Sequence, residues 1–438
     1  MMTDATPGAA STEARPGQAV GAAGWTALGI LVTVYMINFM DRQLFAVLQE
    51  QIRADLGLED WQLGLLGGTM FAVFYATMGL PIAWLADRTH RVRLIGAACA
   101  VWSVFTALSG AANSFATMAL ARIGVATGEA GGVSPSYSVL SDYFPKTRRG
   151  LALGVFTIGA PIGLMAGTVL GALIADALSW RWAFVLLGAP GVVIGLTLVA
   201  LVREPERGRL DPAAAPDAAK PRPLDAARAV LATPTLLLLT AAAAATSFAG
   251  YGLYQWIPSF LQRSQGLTLE AVGALLGPIF LVGVIGAVGG GWIADRIGRT
   301  HVSAYAHVPA ASLALAAPFF LAAILVRDGQ LSLILLVIPV SLSYAWLGPG
   351  LAAVQTLSSP RLRAQTAAIV AFFNNLIGFG LGPLFVGALS DILQTFLSEG
   401  EALRAAMAAG AASLLLAAGL FFVAGLTLKR DLDRAARP

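Results

Sequence analysis

Two pairs of ionisable residues sit inside stretches that are otherwise apolar. Asp41 and Arg42 fall within residues 25–48, and Arg122 and Glu129 within residues 115–143. At the centre of a membrane-spanning helix each such charge costs roughly 2.5–3.5 kcal/mol on insertion scales. A chain keeps these groups where they face protein or water, and there they mark substrate, ion or proton paths. Their types suit a definite chemistry. A carboxylate in a low-dielectric cavity resists ionisation and a nearby arginine favours it, so a change of neighbours loads or unloads a proton. Arginine stays charged and can hold a phosphate or carboxylate bidentately. Asp41 and Glu129 are therefore candidates for proton-linked acids. Arg42 and Arg122 are candidates for head-group clamps or for ion-pair partners of those acids, with Asn38 beside them on the same stretch. The plainer alternative is a structural set of ion pairs pinning two helices together.

Spacing constrains the geometry. Arg122 and Glu129 are seven residues apart, nearly two helical turns, and share a face. Asp41 and Arg42 are adjacent and point about 100° apart, so one of them can face a neighbouring helix. Placed about seven residues from the same helix ends, Asp41 and Arg122 are expected at matching depth, roughly 10 Å below one surface, with Glu129 about 10 Å deeper.

The elements that must position these groups are membrane helices. The chain has 438 residues, 57% hydrophobic and 12% charged, with mean hydropathy +0.75; soluble domains carry about 25% charged residues. Runs of about 20 apolar residues read as spans, and twelve are expected: 24–49, 62–86, 93–112, 115–143, 150–175, 182–202, 235–261, 270–294, 301–325, 330–356, 364–391 and 403–428. The fold class is thus an all-α membrane protein of twelve transmembrane helices in two six-helix bundles. Residues 1–23 read as a disordered tail with no signal-peptide pattern, 24–202 as the first bundle, 203–234 as a proline-bearing cytoplasmic linker, 235–428 as the second bundle and 429–438 as a cytoplasmic tail.

With both termini in the cytoplasm, tails, linker and cytoplasmic loops hold 21 of the 28 Lys/Arg, whereas the outer loops hold Arg53, Arg181, Arg263, Arg327 and Arg404. That bias sets orientation by the positive-inside rule. The basic charges sit in short loops between spans, so the pI near 9.4 does not point to nucleic acid. Twenty-five arginines against three lysines point to a GC-rich bacterial genome, and so to the bacterial inner membrane. The single cysteine, Cys99, excludes an internal disulfide. No G-x4-G-K-[ST] or G-x-S-x-G run occurs, and His90, His301 and His307 form no cluster, which argues against an ATP-driven pump, a lipid-cleaving enzyme and a metal site. A non-transporting lipid receptor is a further reading, separated from a carrier by turnover in liposomes.

The halves repeat. AWLADRTHRVR (Ala83–Arg93) answers to GWIADRIGRTH (Gly291–His301), and RRGLALG (Arg148–Gly154) to LRAQTAA (Leu362–Ala368); Asp87 and Asp295 are 208 residues apart, Arg149 and Arg363 214. Parallel repeats of this kind build one large transporter fold. The second half has no deep charge comparable to Asp41 or Glu129. Its polar and aromatic groups, Tyr251, Tyr254, Gln255 and Trp256, then Tyr344, Phe372 and Asn375, suit the tail of an amphiphile, or in part an interfacial aromatic belt.

The loop Gly291–Arg299 carries the G-x-[LI]-A-D-R-x-G-R signature of the major facilitator superfamily, and the first copy keeps Asp87, Arg88 and Arg91 while Ala83 and His90 replace its glycines. WRWAF (Trp180–Phe184) is a further family feature. INFMDRQLFAVL (Ile37–Leu48) and ARIGVATGEAGGVSPSYSVLSDYFP (Ala121–Pro145) resemble the spinster-like group of lipid transporters. Organic-anion symporters of the same superfamily carry similar runs. The spinster resemblance implies proton-linked movement of sphingoid or lysophospholipid amphiphiles by alternating access, with a proton gradient and no cofactor, in a monomer; the alternative is a proton-coupled symporter of small organic anions. It also implies a cytoplasmic gate built from Asp87, Arg88, Arg91, Arg149, Asp295, Arg296, Arg299 and Arg363.

Overall fold

The computed structural model describes residues 20–210, 223–359 and 362–435. Most of residues 1–23, and residues 211–222 of the linker, lie outside them. Among the described residues, eleven helices are long and apolar enough to cross a membrane. In the first half they are α1 (Ala22–Leu56), α2 (Asp60–Arg88), α3 (Arg91–Ser109), α5 (Lys146–Ala177) and α6 (Trp180–Leu201). In the second they are α7 (Pro234–Arg263), α8 (Leu269–Gly298), α9 (Ala304–Leu325), α10 (Gly329–Leu357), α11 (Gln365–Gln394) and α12, which runs Glu399–Ala435. The twelfth crossing is α4, in two pieces, Phe115–Glu129 and Val133–Tyr143. Its break falls at Ala130–Gly132, so neither piece alone is a full span. An even number of crossings returns the chain to the side it started from. That side is called here the termini end, and the other the far end.

Two boundaries differ from the sequence expectation. α1 continues to Leu56, two turns past its apolar run, because the polar segment 49–56 stays helical until Gly57 caps it in the left-handed region at φ 62°. The linker contains a helix, Pro223–Ala232, and α12 runs on past residue 428 to Ala435.

Small residues set the helix spacing. Gly159, Gly163 and Gly167 on α5 recur every fourth residue, and a Cβ at any of them would meet α1 backbone at Val32, Met36 and Met40. Lipid supplies no hydrophobic drive between helices, so backbone approach of this kind and the dispersion contact it permits hold the pair together. Gly188 and Gly195 on α6 do the same against α3, and Gly191 faces the Ser103 side chain.

Besides the contact of α1 with α7, the bundles meet along two seams. On one, α2 and α11 each carry a π-helical stretch, Leu65–Thr69 and Asn374–Phe379. Thr69 Oγ1 donates to Gly380 O at 2.6 Å, and Phe71 meets Phe379 edge-on at 5.1 Å. On the other, α5 and α8 touch where a Cβ at Gly273 would meet Ala172 and one at Gly277 would meet Val169 and Met165.

Candidate functional site

Arg42 and Glu129 are joined directly. Arg42 Nε and Nη2 both lie 2.7 Å from Glu129 Oε2, and Glu129 is fully buried. The guanidinium sits among four rings, Phe39, Phe71, Tyr75 and Phe379, with centroids 4.7–5.5 Å away. A desolvated aromatic cage of this kind stabilises a cation by roughly 2 kcal/mol or more. Arg122, 1% exposed, lies 5.0 Å from the Phe45 ring and 5.2 Å from Phe71, so Phe71 is wedged between the two arginines. Arg122 Nε and Nη1 are buried and have no hydrogen-bond partner among the described residues. Asp41 turns the other way and accepts a hydrogen bond from the Thr106 hydroxyl on α3. Thr106 Oγ1 also lies 2.9 Å from Trp102 O.

Arg42 reaches Glu129, and Phe45, one turn further along α1, lies against Arg122. α1 is longer than its apolar run: Asp41 is fifteen residues short of Leu56, near the middle of a 35-residue helix.

A cavity of about 780 Å³ lies between the bundles. Arg42 and Arg122 line it; Asp41 and Glu129 do not, and stand behind the wall. Tyr251, Tyr254, Gln255 and Tyr344 line it as the sequence suggests, with Tyr254 and Tyr344 stacked at 5.8 Å and Tyr254 hydrogen-bonded to Ser343. Four expected residues do not. Trp256, about 100° around α7 from Gln255, packs toward α11 and donates Nε1 to Pro383 O at 2.9 Å. Asn375 donates to Ala371 O within its own helix, Phe372 packs on Phe373, and Asn38 is buried behind the wall. In α11 the π stretch begins at Asn374, and it is Asn374 that lines the cavity and bonds Ser247. Tyr35, Phe39, Gln43, Tyr137 and Phe280 complete the aromatic and polar wall. Their spacing on α1 (35, 39, 42, 43, 46) is one helical face, and that phase was the available signal.

The far end is closed by a buried network that the sequence reading did not single out. Arg263 of α7 donates to Glu50 of α1 (2.7 and 3.1 Å) and to Asp60 of α2 (2.6 and 3.0 Å). Asp60, fully buried, also accepts from Ser390 Oγ at 2.7 Å and Gln394 Nε2 at 3.1 Å on α11. Asp391 of α11 accepts from the Asp60 and Trp61 amides at 3.1 and 2.7 Å, so one bundle caps the first helical turn of the other. Gln49 adds bonds to Ser259 Oγ (2.6 Å) and Gln255 O (3.2 Å).

At the termini end several signature residues bond within their own halves. Arg91 is buried and bonds Asp142 (2.5 Å), Glu204 (2.6 Å) and Pro205 O (3.0 Å), tying α3 to α4 and to the segment after α6. Arg88 lies over Trp84, and Arg296 over Trp292. Arg149 donates to Ser141 O, Arg363 to Gln355 O, and Tyr305 to Asp295. Arg299 is exposed at the end of α8. The backbone carbonyls of Ala86, Asp87 and Thr89 accept from Arg207. Among the described residues neither the Asp87 nor the Asp295 carboxylate makes an ion pair. The far end is sealed by charges shared between bundles, and the cavity reaches Gly150 and Leu151 in the first turns of α5.

Residues 31–383 match the Major Facilitator Superfamily. An MFS-type efflux pump of Mycolicibacterium smegmatis is 33% identical over 94% of this chain and 95% of its own length. A sphingosine-1-phosphate transporter of Danio rerio is 27% identical over 97% and 89%. The crystal structure of a bacterial homolog to the human lysosomal transporter spinster, inward-facing and unoccupied, superposes with a TM-score of 0.84 at 30% identity, covering 94% of this chain and 98% of that one. The chain belongs to the major facilitator superfamily and is a transporter of its spinster-like kind.

Proposed function

We propose that this chain is a proton-coupled secondary transporter of anionic, lipid-like amphiphiles, working by alternating access with its termini in the cytoplasm. The observation that carries the reading is Arg122: a buried guanidinium with two unpartnered N–H positions on the wall of an apolar, aromatic cavity. An unsatisfied buried donor is costly, and a phosphate or carboxylate head group is the ligand that satisfies it. Rings and aliphatic side chains around it suit a hydrocarbon tail. The cavity volume falls in the range of pockets that enclose small ligands, roughly 300–1,000 Å³.

Coupling follows from the Arg42–Glu129 pair. Glu129 and an anionic head group compete for the same guanidinium. A proton on Glu129 removes its charge, frees Arg42 and leaves two arginines for the anion; departure of the proton restores the pair and expels it. Asp41, held by Thr106, is the second acid. Orientation is supported by the far-end arginines. Arg53, Arg181, Arg263, Arg327 and Arg404 each lie within 3.6 Å of a carboxylate oxygen. The sealed far end is then extracytoplasmic and the cavity is open inward.

The test is flux in proteoliposomes with an anionic lysophospholipid and a small organic anion side by side, with and without a pH gradient. Gradient-dependent movement of the lysolipid is expected. Movement of the small anion alone assigns the protein to organic-anion symport instead.

A further inference from the structure

We infer that Gln43 of α1 is a head-group ligand that selects phosphate lipids carrying a hydroxyl close to the phosphate; the inference rests on the lipid-like substrate proposed above. Of the side chains that line the cavity, two carry buried donor nitrogens with no hydrogen-bond partner among the described residues. One is Arg122, through Nε and Nη1. The other is Gln43, which is 4% exposed, through Nε2. Other polar groups of the wall are bonded within it: Ser247 to Asn374, Tyr254 to Ser343, and Gln255 Nε2 to Leu63 O at 3.2 Å. A buried amide N–H without an acceptor is as costly as any other orphaned donor. On a cavity wall, the acceptor that relieves it is an atom of the ligand.

The position of this amide says which ligand atom it meets. A Cβ at Gly167 of α5 would lie 3.2 Å from the Gln43 Cβ, so the glycine leaves room for the Gln43 stem between α1 and α5. Arg42 points the other way, onto Phe71 of α2 and Phe379 of α11. Arg122 packs over Phe45, which lies about 160° around α1 from Gln43. The two guanidiniums and the amide therefore flank the cavity face of α1 from opposite sides. A phosphate gathered by Arg42 and Arg122 leaves the amide to a second oxygen of the same head group. The amide is a neutral donor, and a neutral hydroxyl oxygen matches it without the desolvation cost of a second charge. Lysophosphatidate carries such a hydroxyl on the carbon next to the phosphoester carbon, and a sphingoid phosphate carries one on the carbon after that. A fatty acid or a plain alkyl phosphate has none. Arg122 thus supplies affinity for the anion, and Gln43 supplies the choice among anionic amphiphiles.

The test is equilibrium binding to the full-length protein in nanodiscs. The probes are oleoyl lysophosphatidate, its analogue lacking the hydroxyl (oleoyl propanediol phosphate) and dodecyl phosphate. The wild-type protein is expected to bind lysophosphatidate about tenfold more tightly than the deoxy analogue, the loss that follows when a buried donor is left unpaired. Gln43→Met keeps the length of the side chain and removes the donor. It should bind lysophosphatidate about tenfold more weakly and the other two probes within about twofold of wild type, so that the preference disappears. Gln43→Asn, which withdraws the amide by one methylene, should lose the preference as well. A structural role for Gln43 would weaken all three probes together, and that result overturns the assignment. So does a wild-type protein that binds lysophosphatidate and its deoxy analogue equally, a comparison that needs no variant to fold. If the wild-type protein binds none of the three, the lipid reading itself fails, and the role of Gln43 with it.

Discussion

Arg42 of α1 and Glu129 of α4 form a two-pronged contact, both guanidinium nitrogens 2.7 Å from one carboxylate oxygen, and Glu129 ends the α-helical turn just before α4 breaks at Ala130–Gly132. Breaking one side of a buried pair costs about 3–5 kcal/mol because the remaining charge is stranded. A pair placed at a helix break therefore links protonation to backbone geometry in α4, with Gly128 packed on Trp102 just above the break.

Glu129→Gln keeps size and removes the titrating group. Gradient-driven lipid flux is expected to disappear while the protein still folds and binds lipid, since Arg42 is released to the ligand. Wild-type flux and pH dependence in this variant, read in proteoliposomes, would remove Glu129 from the coupling scheme.

Arg122→Ala deletes the unpartnered donors. A charged hydrogen bond contributes about 1.5–3 kcal/mol, so affinity for an anionic lysolipid should fall roughly 10- to 100-fold. A zwitterionic or neutral analogue should lose about threefold or less. Equal losses, measured by equilibrium binding, would make Arg122 a packing element between Phe45 and Phe71.

Arg263→Ala strands Glu50 and Asp60 in the far-end seam. The closed far end loses about 3–5 kcal/mol, and the population shifts toward the conformation open on that side. A thiol introduced by Ser259→Cys, 0% exposed in this state, should then react from the far side about tenfold faster. An unchanged rate would mean that the seam stays closed without the ion pairs.

Thr106→Val removes the hydroxyl held by Asp41 without changing side-chain shape. Proton-driven flux is expected to fall about fivefold or more, in line with loss of one hydrogen bond to a charged group, and Thr106→Ser should restore it. Full activity in Thr106→Val would show that Asp41 needs no orienting group.

How much of this was legible in the sequence follows from what periodicity can carry. Four charges in apolar runs, twelve spans and the six-plus-six repeat are properties of composition and spacing, and they hold. Pairing was not readable in the same way. The length of α1 depended on whether the polar segment 49–56 stayed helical, and which acid Arg42 reaches is a matter of helix packing that spacing along one chain does not carry. The π stretch from Asn374 to Phe379 shifts helical phase without a compositional mark, so Asn374 lines the cavity where Asn375 was expected. Arg263 read as an outer-loop charge, and Glu50 and Asp60, at the edges of apolar runs, carried no signal of their own; only the meeting of α1, α2, α7 and α11 makes them one network.

The most direct test of the central claim records lipid and proton movement in the same vesicles, with a fluorescent lysolipid outside and a trapped pH indicator inside. Stoichiometric proton movement on lipid addition, absent in Glu129→Gln, is the expected result. Lipid flux with no proton movement in the wild-type protein would contradict the account, and would leave Arg42–Glu129 as a structural ion pair.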